Sequence, residues 1–130
     1  MSHTEHYVLD GPTLLAMGGS KQVSGLIHAA AASDDVRLWL PVLCLLEAER
    51  ERAGIVAHAG VLLDVLHVVD DDFPMAVTTA ELCGHGVPFG VAAAVHVARP
   101  NPMLPEGALV ATIAPEAYDG LGVGVMNLNR

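Results

Sequence analysis

The alternation of short apolar runs with longer stretches of helical character limits this chain to one main class of fold. Apolar runs of strand length occupy positions 7–9, 36–40, 66–69, 109–113 and 123–128. Between them lie segments whose apolar residues recur at helical spacing. Strands that alternate with helices are typical of a parallel sheet covered by helices on both faces, with right-handed crossovers. We therefore predict an α/β fold built on a parallel sheet.

Proline, glycine and small polar residues mark the ends of the predicted helices. Pro12 and Pro41 suit the first turn of a helix, where a backbone N–H has no intrahelical partner. Ser20 suits a helix cap, whereas Gly18 and Gly54 suit helix ends. The helices predicted on these grounds span 13–17, 21–32, 41–52, 55–64, 73–83 and 88–98, with a turn or short helix at 114–118.

A chain of 130 residues suits a single domain that covers positions 1–130. Its first five residues are mostly polar, and we expect them to be disordered. His3 and His6 have the spacing HxxH but no further ligand nearby, so we interpret them as part of a polar tail rather than a metal site. His96, within an Ala-rich segment, is interpreted as a hydrogen-bonded, partly buried residue.

The charge balance excludes one class of function. Fifteen acidic and six basic residues give a formal net charge of −9. Proteins that hold a nucleic-acid backbone neutralise its phosphates with several Lys and Arg side chains. We therefore expect no generic RNA binding, and nothing in the sequence indicates DNA binding. The acidity suits cation binding or solubility instead.

The two cysteines and the longest apolar stretch indicate the compartment. Cys44 and Cys83 lie far apart, outside any CxxC pattern, and we interpret both as reduced core residues. The stretch 36–46 is too short to span a membrane and is interrupted by Arg37 and Pro41. The sequence therefore predicts a soluble, cytoplasmic protein.

Acidic residues stand where a parallel sheet would place a site. Asp10 ends the first predicted strand, and open α/β sheets bind ligands at strand carboxyl ends; the alternative is that Asp10 caps the next helix. Glu47 directly follows the apolar half of the 41–52 helix, whereas 49–52 is interpreted as a solvated run of paired charges. The acidic run 70–72 either holds a cation or caps the helix that follows it.

The order of these features resembles the PIN-domain family over nearly the whole chain. The resemblance rests on Tyr7-Val8-Leu9-Asp10, on Pro41 with Glu47 six residues later, on the Ala-rich helix, and on Val110-Ala111-Thr112 before a turn. It implies a three-layer α/β/α sandwich with a five-stranded parallel sheet. Active members of the family, including the ribonucleases of bacterial toxin–antitoxin pairs, use three or four acids to hold Mg²⁺ or Mn²⁺ and cut RNA. Such hard cations prefer oxygen ligands and can activate water.

The resemblance implies a degenerate site. Asp10 and Glu47 match the first two acids of the family and are the expected catalytic and metal-binding residues. The family usually carries an acid at the start of the Ala-rich helix, but 88–94 contains none. The acid that normally follows the strand-ending Thr by two residues is also missing after Thr112, and Pro12 replaces a small polar residue.

Other acids are near enough in the sequence to replace the missing ones. We predict Glu116 as a substitute metal ligand, with Asp119 or the run 70–72 as alternatives. Weak binding of Mg²⁺ or Mn²⁺ is expected, because Mg²⁺ gives up its water reluctantly and needs several charged ligands. The carboxylates of Asp10 and Glu47 are expected to face each other about 4–6 Å apart across one cleft.

Two functions are compatible with this pattern, so the sequence leaves open whether the chain is an enzyme. The first is a binding or scaffolding module that descends from metal-dependent ribonucleases and has lost most or all cleavage. The alternative is an active Mg²⁺- or Mn²⁺-dependent ribonuclease of the toxin type with relocated acids. The missing acids and the scarcity of Lys and Arg favour the first. A homodimer is expected in either case, a protein partner remains open, and an unrelated small α/β domain is a third interpretation.

Overall fold

The computed structural model describes residues 3–129, in which five strands form one sheet. The strands are β1 (Glu5–Leu9), β2 (Val36–Pro41), β3 (Leu66–Val69), β4 (Leu109–Thr112) and β5 (Val125–Asn127). The helices are α1 (Gly11–Leu15), α2 (Lys21–Ala32), α3 (Val42–Glu51), α4 (Ile55–Val61), α5 (Phe73–Cys83) and α6 (Phe89–Ala98), and a 3-10 turn spans Pro115–Tyr118. The strand order is β3-β2-β1-β4-β5, and all neighbouring strands are parallel. The predicted α/β class and five-stranded parallel sheet are confirmed, and the arrangement is consistent with a three-layer sandwich.

The core lies where the central strand meets the Ala-rich helix. Val8 and Leu9 of β1 are fully buried, and α6 packs against β1, β2 and β4. Ala92, Ala93 and Ala94 of α6 are also fully buried. Because their side chains are small, the α6 backbone can lie close to the sheet. The position of β1 and α6 is therefore determined by apolar burial on both partners.

The strand order creates a point at which the chain changes direction across the sheet. From β1 the chain builds outward to β2 and β3 on one side, and then returns to build β4 and β5 on the other. In open α/β sheets the crevice at such a point, outside the carboxyl ends of the strands, is the usual place for a ligand. Asp10 follows β1 there, and Thr112 ends β4 beside it.

The structure changes several predicted boundaries. Glu5 belongs to β1 and its N–H donates to the Asp35 carbonyl at 2.7 Å, so disorder through residue 5 is wrong; Met1 and Ser2 lie outside the described residues. The first helix begins at Gly11 rather than 13, because the cap directly precedes it. The fourth helix ends at Val61 rather than 64, and β5 has three residues rather than six.

Three aromatic rings form a row across neighbouring strands. The Trp39 indole N–H donates to His6 Nδ1 at 3.0 Å, and the Trp39 ring lies 5.3 Å from the ring of His67. Trp39 is therefore half-buried between two imidazoles rather than a plain core residue. The interpretation of His6 as part of a polar tail is wrong, because its side chain holds Trp39 in place.

The chemistry of the thiols follows their burial. Cys44 and Cys83 are both free, as predicted, but only Cys44 lies in the core; Cys83, at the end of α5, is half-buried, so its assignment to the core is wrong. Burial raises the pKa of the Cys44 thiol far above its ordinary value, and the nearby charges of Asp10 and Glu47 raise it further. Cys44 donates to the Gly90 carbonyl at 3.2 Å and stays protonated.

Among the described helices, none combines the length and the apolar character that crossing a membrane requires.

Candidate functional site

Asp10 is the centre of the candidate site and also the cap of α1. The Asp10 carboxylate lies at the end of β1 and is only 2% exposed. Its Oδ1 accepts the backbone N–H of Thr13 at 3.2 Å and the Thr13 hydroxyl at 2.6 Å. The N–H bond is the usual one of an Asp cap, so the capping alternative is confirmed.

The second carboxylate oxygen of Asp10 binds residues from the far end of the chain. Oδ2 accepts the hydroxyl of Thr112 at 2.7 Å and the hydroxyl of Tyr118 at 2.8 Å. Thr13, Thr112 and Tyr118 are all buried. The carboxylate therefore accepts four hydrogen bonds from protein donors, two on each oxygen.

Two of those donors also connect Asp10 to the backbone that follows β4. The Thr13 hydroxyl accepts the N–H of Ile113 at 3.3 Å, and the Thr112 hydroxyl accepts the N–H of Ala114 at 2.9 Å. Each hydroxyl thus accepts from the loop and donates to the carboxylate. Chains of this kind polarise and strengthen one another in a low-dielectric interior. The Asp10 network consequently fixes the loop after β4 relative to α1.

Tyr118 is the member of this network that sequence reasoning missed. Burial raises the pKa of Tyr118 well above the ordinary value of tyrosine, and the negative charge of Asp10 raises it further. Tyr118 therefore remains a hydrogen-bond donor throughout the ordinary pH range. The signal that could have indicated it is that Tyr118 is the one large side chain able to be buried in the turn at 114–119. Its acidic neighbours Glu116 and Asp119, which the sequence favoured, are exposed instead.

Glu47 lies at the same end of the sheet, on α3. A β-carbon at Gly11, the residue after Asp10, would lie 4.0 Å from the Glu47 Cβ, which shows how closely α1 and α3 approach. A β-carbon at Gly90 would lie 2.9 Å from the carboxyl carbon of Glu47. Glycine at position 90 therefore makes room for the Glu47 side chain, and Glu47 is partly buried as the sequence predicted.

The surroundings of Glu47 favour its protonated form. Burial raises the pKa of the Glu47 carboxyl, and the negative charges of Asp10 and Glu51 act in the same direction. Hydrogen bonding to the Gly90 backbone and the positive charge of Arg50 oppose this rise. No distance between the Asp10 and Glu47 carboxylates follows from this, and their predicted separation stays a prediction.

A divalent cation at Asp10 would have to share the carboxylate with the protein groups that it already binds. Each oxygen of the Asp10 carboxylate accepts two hydrogen bonds from protein donors, so a cation would compete with Thr13, Thr112 or Tyr118. Of the other two predicted metal ligands, Glu47 is partly buried and Glu116 is exposed. Within residues 3–129, no three His, Cys, Asp or Glu side chains are grouped so as to hold a metal ion. The metal-binding role of Asp10, Glu47 and Glu116 stays a prediction.

The remaining acidic candidates have structural partners or lie in solvent. Asp72 caps α5 by accepting the N–H of Met75 at 2.9 Å, which confirms the capping alternative for this run. Glu49 accepts the N–H of Gly54 at 3.0 Å and Arg52 donates to the Leu15 carbonyl at 2.8 Å, so these two charges of the 49–52 run bind backbone groups, where pairing within the run was predicted. His96 is hydrogen-bonded to Thr78 at 2.8 Å, as predicted.

Among the surface cavities of residues 3–129, one adjoins the candidate site and a larger one lies away from it. The smaller, about 600 Å³, is lined by Glu47 together with Gly11, Pro12, Leu15, Ala48, Arg50 and Glu51. The larger, about 890 Å³, lies at the opposite end of the strands and includes Glu5, Arg99 and Glu106 but neither Asp10 nor Glu47. The smaller cavity is the more relevant, because it is the one that the Glu47 carboxyl borders.

The resemblance to the PIN-domain family rests on the residue pattern. Compared with models of protein families and with curated proteins, the sequence gives no match. The resemblance is therefore supported by the order of Asp10, Glu47, the Ala-rich helix and Thr112 along the chain. In the structure, Asp10 and Thr112 meet directly through a hydrogen bond.

Proposed function

We propose that this chain is a PIN-like domain whose former metal-binding carboxylate has become a structural anchor, and that it acts as a binding or scaffolding module. The observation that carries the proposal is the Asp10 carboxylate, which accepts four hydrogen bonds from Thr13, Thr112 and Tyr118. A ribonuclease of the family would need that same carboxylate as a metal ligand. In this chain the protein itself occupies the oxygens.

The cost of turning Asp10 into a metal ligand supports the proposal. A cation at Oδ2 would separate the Thr112 and Tyr118 hydroxyls from their acceptor while both remain buried. A buried donor left without a partner costs about 1–3 kcal/mol. Mg²⁺ would also have to give up water, which it does reluctantly. The coordination energy from one carboxylate and a partly buried Glu47 would have to offset both costs.

The distribution of positive charge supports the same proposal. The segment 53–98 contains no Lys or Arg. Arg52 donates to the Leu15 carbonyl at 2.8 Å, so this guanidinium is already used in the fold. Arg50 alternates with Glu49 and Glu51 along α3. Backbone binding of RNA depends on several cationic groups on one surface, and the neighbourhood of the candidate site offers little for it.

The alternative is a ribonuclease with relocated acids, and the variants Asp10→Asn and Glu47→Gln distinguish it from the proposed binding module. If Asp10 is an anchor, Asp10→Asn destabilises the protein, and if it is a metal ligand, the same change abolishes cleavage in a folded protein. Glu47→Gln is the matched control, because Glu47 borders the cavity but does not belong to the hydrogen-bond network around Asp10.

The experiment combines an RNA cleavage assay with thermal unfolding, each in the presence of Mg²⁺ or Mn²⁺. We expect no cleavage of single-stranded RNA, no rise in Tm on adding either ion, a lower Tm for Asp10→Asn and little change for Glu47→Gln. Cleavage that both substitutions stop, with both variants folded, would overturn the proposal. The assay is to be repeated with any protein that co-purifies, since a partner supplies its own charged surface.

A further inference from the structure

Strand β3 is an edge of the sheet with one pairing partner. It pairs with β2 alone, and the central pair of its four residues, His67 and Val68, is exposed. A parallel edge strand carries N–H and C=O groups that point away from its neighbour and can pair with another chain. The other edge, β5, has only three residues and is correspondingly blunted. Edge β3 is therefore the better place for an added strand.

Exposed apolar side chains are frequent in the part of the sequence that contains β3. Eleven large apolar residues are exposed among the described residues. Five of them lie within positions 61–77, which contain β3: Val61, Leu63, Val68, Phe73 and Val77. Val61 and Phe73 are 81% and 80% exposed, so neither contributes to the core. Concentrated exposed apolar surface is typical of an interaction site.

The charged residues that flank β3 in the sequence are all acidic. Asp64 precedes the strand, Asp70 and Asp71 follow it, and all three side chains are exposed. No Lys or Arg occurs between positions 53 and 98. An extended segment laid along β3 would therefore meet negative charge at both of its ends.

We propose that the β3 edge binds an extended segment of a partner protein, which pairs as an additional strand with apolar residues at its centre and Arg or Lys at both ends. Backbone hydrogen bonds to β3 would provide affinity, and alternate side chains would contact Val68 and the exposed apolar residues nearby. The basic ends would face Asp64 on one side and Asp70 and Asp71 on the other. The inference rests on the proposed binding role and identifies its surface and partner chemistry.

The same charges disfavour a second copy of this chain as the occupant. If two β3 strands paired antiparallel about a two-fold axis between His67 and Val68, Asp64 of one copy would lie opposite Asp71 of the other. Like charges directly opposite each other destabilise strand pairs. Charged residues at a strand edge are also a common device against self-association. A homodimer of this chain would therefore use a different face.

The binding test uses a short synthetic peptide with a Val-Thr-Val-Thr-Val centre and two arginines at each end. Fluorescence anisotropy of the labelled peptide measures the Kd, and amide hydrogen exchange of the full chain locates the peptide. We expect binding at low ionic strength, weakening with added salt, and slower exchange confined to the 63–71 region. A peptide that is N-methylated at alternate positions keeps the charge but lacks half of the N–H donors, and it should not bind.

A pair of charge variants tests the partner chemistry. Asp70→Asn with Asp71→Asn should weaken peptide binding about three- to tenfold, the effect of losing two exposed ion pairs. Asp34→Asn with Asp35→Asn is the matched control, because it removes the same charge from an exposed turn before β2 and should leave the Kd unchanged.

Four outcomes would overturn the inference: no peptide binding at low salt, equal binding of the N-methylated peptide, equal effects of the two charge variants, or protection elsewhere in the chain. These outcomes are independent of the Asp10 site, which the RNA assay tests separately. RNA cleavage that depends on Asp10 would refute the proposal that nuclease activity has been lost, but it would not change the result of the peptide experiment.

Discussion

The Tyr118 hydroxyl donates to the Asp10 carboxylate at 2.8 Å, although 108 positions separate the two residues in the chain. This contact connects the first strand with the turn after the fourth one. Both residues are buried, so water does not replace the bond when it is lost. On the proposal that Asp10 is a structural anchor, this contact is one of its main supports.

Tyr118→Phe should lower the free energy of unfolding by about 1.5–3 kcal/mol, since it removes a hydrogen bond to a buried charged group while keeping the ring. Chemical denaturation measures this loss. Tyr7→Phe is the matched control, because the Tyr7 hydroxyl donates to Glu5 at 2.7 Å in a partly exposed setting and should cost less. Equal losses in the two variants would contradict the anchoring role of Asp10.

Thr112→Val should destabilise the protein by a similar amount, about 1.5–3 kcal/mol, because the change keeps the shape but removes the donor to Asp10. It also removes the acceptor of the Ala114 N–H. Combined with Tyr118→Phe in a double-mutant cycle, the two losses should not add, since both hydroxyls serve the same oxygen. Additive losses would show that the hydroxyls act independently.

Gly90→Ala should push the Glu47 carboxyl group out of its partly buried position, because the new methyl group would occupy its place. Burial is the main cause of the raised pKa of Glu47, so the pKa should fall toward its ordinary value, as measured by NMR titration. Gly25→Ala is the control: it lies in α2, where an added β-carbon meets no atom within 4 Å. That variant should leave the Glu47 pKa unchanged and gain up to about 1 kcal/mol of stability.

The His6–Trp39 contact should make stability depend on pH. Burial lowers the pKa of His6 below its ordinary value of 6.5, with smaller contributions from the positive charges of Arg37 and His3. The unfolded chain then binds this proton more readily than the folded one. Stability is therefore retained above about pH 7 and declines as the pH falls through 6.5 toward the folded pKa.

His6→Asn tests this dependence, because the Asn carbonyl can accept the Trp39 N–H without titrating. The variant should show a smaller loss of unfolding free energy between neutral and mildly acidic pH. Trp39 is the single tryptophan, so its fluorescence reports the protonation of His6 beside it. His28→Asn, at an exposed position in α2, is the control. An unchanged pH slope in His6→Asn would refute the prediction.

Local patterns predicted the elements well, because helix caps and strand runs act over a few residues. The Ser20 cap of α2 and the strand at 66–69 lie where the sequence placed them. The Asp10 cap was recognised as an alternative for the same reason. Helix ends were less predictable: the apolar pattern continues beyond Val61, whereas the backbone turns tightly there and Leu62 bonds to Ala59.

Contacts between distant parts of the chain were beyond such patterns. Tyr118 reaches Asp10 only because β4 pairs with β1 and the 3-10 turn folds back over the strand ends. The space that Gly90 leaves for Glu47 depends on how α3 crosses α6, which spacing along the sequence does not encode. Glu116 was favoured because it is acidic, but the buried residue of its turn is the aromatic one.

The hydrogen bonds from Thr112 and Tyr118 to Asp10 also have a consequence for the order in which the chain folds. The Oδ2 donors of Asp10 leave the ribosome 102 and 108 positions after the carboxylate itself. A buried carboxylate without these donors is costly, so the first half of the chain gains little by closing around Asp10 alone. Stability should therefore be acquired late and all at once, when β4 docks beside β1, and a nascent chain that stops before Thr112 should remain sensitive to proteases.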